Sequence, residues 1–200
     1  MIGSKIGQSN GLENNMQINK SLKVLFTLNS IFVFGGSLFG PLYAIYVQGL
    51  DNKVMAVSLS WAVYMVSSTL FMYFVSRYGD KIKEKEYLLA GGFLVRSIAW
   101  LGYLFVTNIT GLILIQIVLG LGEALGTPAW NAIFAKHLDG HKEIMDYSEW
   151  NIINNLLVAL STVIGGILVT YFGFSVLFVA MSMLALVSFV GVLITPRRVL

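Results

Sequence analysis

Apolar residues run in long blocks along this chain, and polar and charged residues fall in the gaps between them. Six blocks reach the roughly 20 apolar residues that a helix needs to cross a bilayer core about 30 Å thick. They lie near 24–49, 54–76, 87–106, 109–135, 148–171 and 174–195. The pattern predicts an all-α integral membrane domain of six transmembrane helices over 21–200. The polar, Gly/Asn-rich stretch 1–20 predicts a disordered tail. The block after Lys23 is too long for a cleaved signal peptide, and no small-x-small site follows it. Connections at 107–108 and 172–173 are short enough to force antiparallel hairpins of spans three with four and five with six.

Composition moves the chain firmly into lipid. Of its 200 residues 56% are hydrophobic and 12% charged, with mean hydropathy +0.77, whereas soluble domains carry about 25% charged residues. The chain has no cysteine, which excludes disulfides and thiolate metal or redox sites. A net charge of +3 gives no ground for a nucleic-acid partner. The sequence has no Gly-Lys-Ser/Thr phosphate loop, no His-Glu-x-x-His and no Ser/His/Asp spacing, so neither an enzyme nor a cofactor is expected. His137 and His141 are four apart, but Gly140 between them argues for a loop, and no metal site is expected.

The basic residues set an orientation. Lys5, Lys20 and Lys23 precede span one, and Arg77, Lys81, Lys83 and Lys85 fill the gap between spans two and three. Lys136 and Lys142 lie between spans four and five, and Arg197 and Arg198 follow span six. Only Lys53 falls on the other side, so both termini are expected in the cytoplasm of a multi-pass cell-membrane (inner-membrane) protein. Asn108-Ile109-Thr110 matches a glycosylation sequon, but its closeness to the membrane argues against its use.

Spans one and four share a pattern. "GGSLFGPLYAIYV" (35–47) and "GLGEALGTPAWNAIF" (120–134) both place glycines about a turn apart, then Gly-Pro or Gly-Thr-Pro, then an aromatic residue. They run in opposite directions three spans apart, which predicts an inverted repeat of three plus three helices. Gly lets helices approach closely and Pro kinks them. Gly40 and Pro41, Gly126 and Pro128, and Gly165 and Gly166 are the expected hinges.

On these residues the chain resembles the amino-terminal six-helix half of a major facilitator superfamily transporter. The family's G-x-x-x-D-R-x-G-R-[RK] loop aligns with "MYFVSRYGDK" (72–81), where Arg77, Gly79 and Lys81 match and Met72, Ser76 and Asp80 depart from it. The helix-four pattern R-x-x-Q-G-x-G with a following proline is met by Gly120, Gly122 and Pro128, with Gln116 at the arginine position. Of the antiporter motif G-x-x-x-G-P-x-x-G-G, "LVALSTVIGG" keeps only Gly165 and Gly166. The resemblance implies that Arg77, Gly79 and Lys81 form a gating loop, with Gly79 allowing a tight turn. A solvated basic loop touching anionic lipid is the other reading.

Arg96 and Glu123 are the ionisable residues well inside spans. A charge in lipid costs at least about 2.5 kcal/mol, so the two are expected to pair across spans three and four, or to share a cavity. Glu123 taking a proton, Arg96 meeting an anionic solute, and a purely structural pair all remain open. Asn29 and Tyr43, with Tyr46 extending the stripe, are expected to line a cavity, together with Gln116. Asn151, Asn154 and Asn155, at i, i+3 and i+4, are expected on one face near Trp150, lining that cavity or joining helices.

The expected function is movement of a small solute by alternating access, secondary active or facilitative, efflux included, with a proton or cation as possible coupling ion. A homodimer or a second six-helix half would complete the cavity. The alternative is a non-transporting six-helix protein: a truncated half, or an assembly or interaction partner.

Overall fold

The computed structural model describes residues 20–136 and 143–195, and every regular element among them is helical. The helices are α1 (Lys20–Ser37), α2 (Tyr43–Leu50), α3 (Val54–Tyr78), α4 (Lys85–Gly102), α5 (Ile109–Lys136) and α6 (Glu143–Ile194). Single 3-10 turns follow α3 at Gly79–Lys81 and α4 at Tyr103–Phe105. Of the predicted tail, residues 1–19 lie outside the described residues, as do His137, His141, Lys142, Arg197 and Arg198; Lys20 begins α1.

Among the described residues four stretches are long and apolar enough to cross a membrane: Val54–Tyr78, Lys85–Phe105, Ile109–Lys136 and Tyr147–Ile194, with Lys23–Ser37 a shorter apolar helix. Two departures from the predicted spans explain this count. Span one is not a single helix. Between α1 and α2 the chain turns through Leu38–Leu42, where Leu38 N–H bonds Gly35 O at 3.3 Å and Gly40 N–H bonds Ser37 O at 3.4 Å. Pro41 has no N–H to continue the α-helical ladder, and this turn replaces it. Spans five and six, conversely, join as one helical run interrupted at Gly173 (φ 79°, ψ 175°). At 1.5 Å per residue its 52 residues would reach about 78 Å if straight, more than twice a bilayer core.

Gly173 is the sole positive-φ glycine among the described residues. Gly79 opens the tight 3-10 turn after α3 at φ −63° and ψ −33°, helical angles open to any residue.

Helix pairs α4/α5, α3/α5, α1/α6 and α4/α6 make the main contacts. In lipid, burial of apolar surface does not drive such contacts; close packing and small polar groups do. Glycines on α5 set the distances. A Cβ on Gly120 would stand 2.7 Å from Ser68 N of α3, and one on Gly92 would stand 2.6 Å from Gly126 Cα. Ser97 Oγ lies 2.7 Å from Ser182 Oγ between α4 and α6, and Ser188 Oγ donates to Leu28 O of α1 at 2.9 Å. Asn108 caps α5 by accepting from Gly111 N–H at 2.9 Å, a structural use of the sequon asparagine.

Aromatic clusters fill both ends. Phe39, Tyr46, Tyr103, Phe174 and Phe178 interlock at one end, Tyr103 stacking on Phe178 at 4.8 Å. At the other, Phe26, Trp130, Phe134 and Trp150 interlock, Trp130 and Trp150 being 4.9 Å apart.

Candidate functional site

The site is built where α4 and α5 lie closest. Gly122 allows the stem of Arg96 to cross α5, because a Cβ there would stand 2.6 Å from Arg96 Cγ. The guanidinium then reaches the Glu123 carboxylate, where Arg96 Nη2 donates to Oε2. Tyr64 OH of α3 donates to the same oxygen at 3.0 Å, and Thr127 Oγ1, one turn along α5, donates to Oε1 at 2.5 Å. Arg96 also lies over the Phe32 ring of α1, 4.9 Å from its centroid. Side-chain exposure is 11% for Arg96 and 25% for Glu123, so the pair is shielded yet reachable.

Two cavities meet at Arg96. One of about 230 Å³ is walled by Tyr43, Trp61, Tyr64, Trp100, Gln116 and Glu123. The other, of about 240 Å³, is walled by Asn29, Thr127, Trp130, Asn131, Trp150 and Asn154. Arg96 and Phe32 line both.

In the first cavity a hydrogen-bonded chain joins three helices. Gln116 Nε2 donates to Tyr43 OH, which donates to Ser60 Oγ at 2.5 Å, which donates to Ala56 O at 2.7 Å. Each hydroxyl therefore has both a donor and an acceptor in place. The second cavity offers uncharged amides and indole rings instead.

The expected cavity residues are thus divided. Asn29 and Tyr43 are both buried, and they line different cavities. Tyr46 lies in neither, and its hydroxyl donates to Tyr103 O at 3.2 Å. Gln116 is buried in the first cavity. Asn154 lines the second beside Trp150, while Asn151 and Asn155 are exposed. Asn154 lies four positions after Trp150, so the two share a face.

In the loop, Arg77 Nη2 donates to Tyr73 OH at 2.7 Å with its guanidinium over that ring, and Lys81 lies 5.4 Å from the Tyr78 ring centroid. Gly79 opens the 3-10 turn between them. Of the expected hinges, Gly40 and Pro41 lie exposed in the α1–α2 turn, whereas Pro128 sits inside the continuous α5. Gly126 abuts Gly92, a Cβ on Gly165 would fall on the Leu38 carbonyl oxygen, and Gly166 has nothing near its Cβ position. Tyr64, Ser60, Asn131 and Phe32 were not singled out in the sequence. Thr127 had a legible signal, its i+4 spacing from Glu123.

An all-helical bundle with four stretches long and apolar enough to cross a bilayer defines the class of multi-pass membrane proteins. The chain belongs to the major facilitator superfamily, whose sequence model matches residues 25–199. It is 25% identical over 158 residues to the proton-coupled antiporter flippase LtaA of Staphylococcus saprophyticus, a match covering 76% of this chain and 39% of that protein. It is 22% identical over 158 residues to the uncharacterized MFS-type transporter YitZ of Bacillus subtilis, covering 78% of this chain and 94% of that one. The chain thus spans well under half the length of the first of these relatives.

Proposed function

We propose that this chain moves a small solute by alternating access, as one six-helix half of a transporter whose second half is another copy or another chain. The six helices are counted by taking α1 with α2 as one span and dividing α6 at Gly173, in a three-plus-three inverted repeat. The observation that carries the reading is the position of Arg96 between the two cavities.

Arg96 uses the Glu123 carboxylate and the Phe32 ring as partners. Protonation of Glu123 would cancel the charge that holds the guanidinium there. Arg96 would then turn toward the acceptors of the amide cavity, with which it already shares a wall. A bound anionic group on the solute would compete for Arg96 in the same way. Either event couples binding to the packing of α4 against α5. The name of LtaA as a proton-coupled antiporter supports a proton as the coupling ion. Arg77, Gly79 and Lys81 would steady one conformation from the cytoplasmic side, where the basic loops and both termini are placed by their charge. Gly40 and Pro41 form the flexible point on the first span.

The test uses proteoliposomes of defined orientation carrying a pH-sensitive dye, with a panel of small solutes added under an imposed proton gradient. Solute-dependent proton flux is expected from wild type, and Glu123→Gln should abolish the proton component. Chemical crosslinking in the same vesicles should trap a dimer. A strict monomer without flux would favour a non-transporting assembly partner.

A further inference from the structure

The first cavity holds polar atoms that the bundle itself does not use. Tyr43 OH and Tyr64 OH are engaged with Ser60 and Glu123. Tyr103 and Gln116 differ: each is only 2% exposed, and both line this cavity. Gln116 turns its Nε2 to Tyr43 OH, and its Oε1 accepts nothing from a described residue. Tyr103 is bonded through its main-chain carbonyl, to Tyr46, and its hydroxyl has no partner among the described residues. Among those residues no polar side-chain atom sealed from open space lacks a partner, so these two atoms open onto the cavity that they line. One is an acceptor and the other a donor and acceptor.

The opposite end of the cavity is charged. Glu123 already accepts from Arg96, Tyr64 and Thr127, whereas Arg96 uses one of its five donor hydrogens there. The unused capacity at this end is therefore that of a cationic donor. Close contacts give the register of α4 on α5: a Cβ on Gly92 would meet Gly126, one on Gly122 would meet Arg96, and one on Gly102 would meet Ile115. In that register Tyr103 lies level with Gln116 to within a residue. Arg96 and Tyr103 are seven positions apart, as are Gln116 and Glu123, so the two polar ends stand about 10 Å apart. Rings fill the interval. Trp100 lies between Arg96 and Tyr103 on α4, and Trp61 of α3 faces in beside Tyr43, with centroids 5.5 Å apart.

We propose that this cavity binds an aromatic carboxylate that carries a phenolic hydroxyl at the other end of its ring. The carboxylate accepts from Arg96, and the ring lies against Trp61 and Trp100. The hydroxyl donates to Gln116 Oε1 and accepts from Tyr103 OH. This names the solute class for the transport reading above and rests on it, because the carboxylate takes the place at Arg96 that Glu123 gives up. A cationic solute would find the Glu123 oxygens already engaged and would face the Arg96 charge. An acid without the hydroxyl would leave Tyr103 and Gln116 unpaired.

The experiment is equilibrium dialysis of the detergent-purified full chain, with each ligand quantified by mass spectrometry and its partition into empty micelles subtracted. The probes are 3-(4-hydroxyphenyl)propionate and three analogues: 3-phenylpropionate without the hydroxyl, 3-(4-hydroxyphenyl)propan-1-ol without the carboxylate, and 3-cyclohexylpropionate without the aromatic ring. The phenolic acid should bind about five-fold more tightly than the phenyl acid and at least about ten-fold more tightly than the alcohol. The cyclohexyl acid should be weaker than the phenyl acid by about three-fold. Tyr103→Phe and Gln116→Leu should each reduce the preference for the hydroxyl, and Arg96→Gln should remove the advantage of the acid over the alcohol. Tyr103→Phe deletes a hydroxyl that no described residue uses, so it keeps the test valid if another variant fails to fold; circular dichroism checks each. No saturable binding of the phenolic acid to folded wild type, equal binding of the alcohol, or an unchanged hydroxyl preference in Tyr103→Phe would overturn the proposal. Binding without flux in vesicles would support this site and sink the transport reading, whereas flux of other solutes without binding of the acid would sink this site alone.

Discussion

The guanidinium of Arg96 on α4 lies against the carboxylate of Glu123 on α5, and it gets there across a glycine, Gly122, that has no side chain to block the path. Three more groups converge on this point: Tyr64 OH, Thr127 Oγ1 and the Phe32 ring complete the setting of the pair. Removing one partner of a shielded pair leaves the other charge uncompensated, at a cost of about 3–5 kcal/mol. Arg96→Ala should fall near the lower end, because Tyr64 and Thr127 still donate to Glu123. The double variant Arg96→Ala/Glu123→Ala should be less destabilised than the sum of the two single variants in detergent thermal unfolding. Additive losses would mean the two charges are not coupled.

Gly165 and Gly166 are neighbours with opposite surroundings. Alanine at 165 drives a methyl into the Leu38 carbonyl oxygen, so Gly165→Ala should cost about 1–3 kcal/mol through forced separation of the α1–α2 turn from α6. Gly166→Ala meets nothing within 4 Å, and its thermal midpoint should match wild type or exceed it, alanine being about 1 kcal/mol the better helix former. Similar losses in both would contradict this packing.

A third glycine carries a backbone demand instead of a packing one. Gly173 sits at φ 79° and ψ 175°, a region essentially confined to glycine, where another residue pays about 1–3 kcal/mol. Gly173→Ala should lower thermal stability by that amount, while Gly79→Ala, at a helical φ of −63°, should change it by less than about 0.5 kcal/mol. The comparison needs only two unfolding curves.

Tyr43 is the middle of the chain from Gln116 to Ser60. Tyr43→Phe strands the buried Gln116 amide, which should cost about 1–3 kcal/mol. Gln116→Leu removes one donor and leaves the Tyr43–Ser60 bond in place, so its cost should be smaller, about 1 kcal/mol. The order of the two midpoints decides the point.

Because the chain has no cysteine, single-cysteine labelling is direct. In intact cells, a membrane-impermeant maleimide should label Lys53→Cys and should label Lys81→Cys only after permeabilisation. The reverse pattern would invert the proposed orientation.

Much was legible in the chain itself. Runs of apolar residues long enough for a bilayer fix the class of fold, because the hydrocarbon core admits backbone only as internally bonded structure. The placement of Arg96 and Glu123 one hairpin apart made a pair expected, because rise per residue along a helix is fixed. Other features were hidden. Sequence spacing put Asn29 and Tyr43 on a common stripe, but which cavity each of them lines depends on the neighbouring helices. The same spacing grouped Asn151 with Asn154, yet the side on which a helix meets its neighbours is decided by those neighbours. The sequence by itself determined that this is a helical membrane protein with a charged pair within its spans. Only the tertiary structure decided that Arg96 stands between two cavities, that Tyr64 arrives from a third helix, and which glycines are contacts, because each depends on how closely separate helices approach.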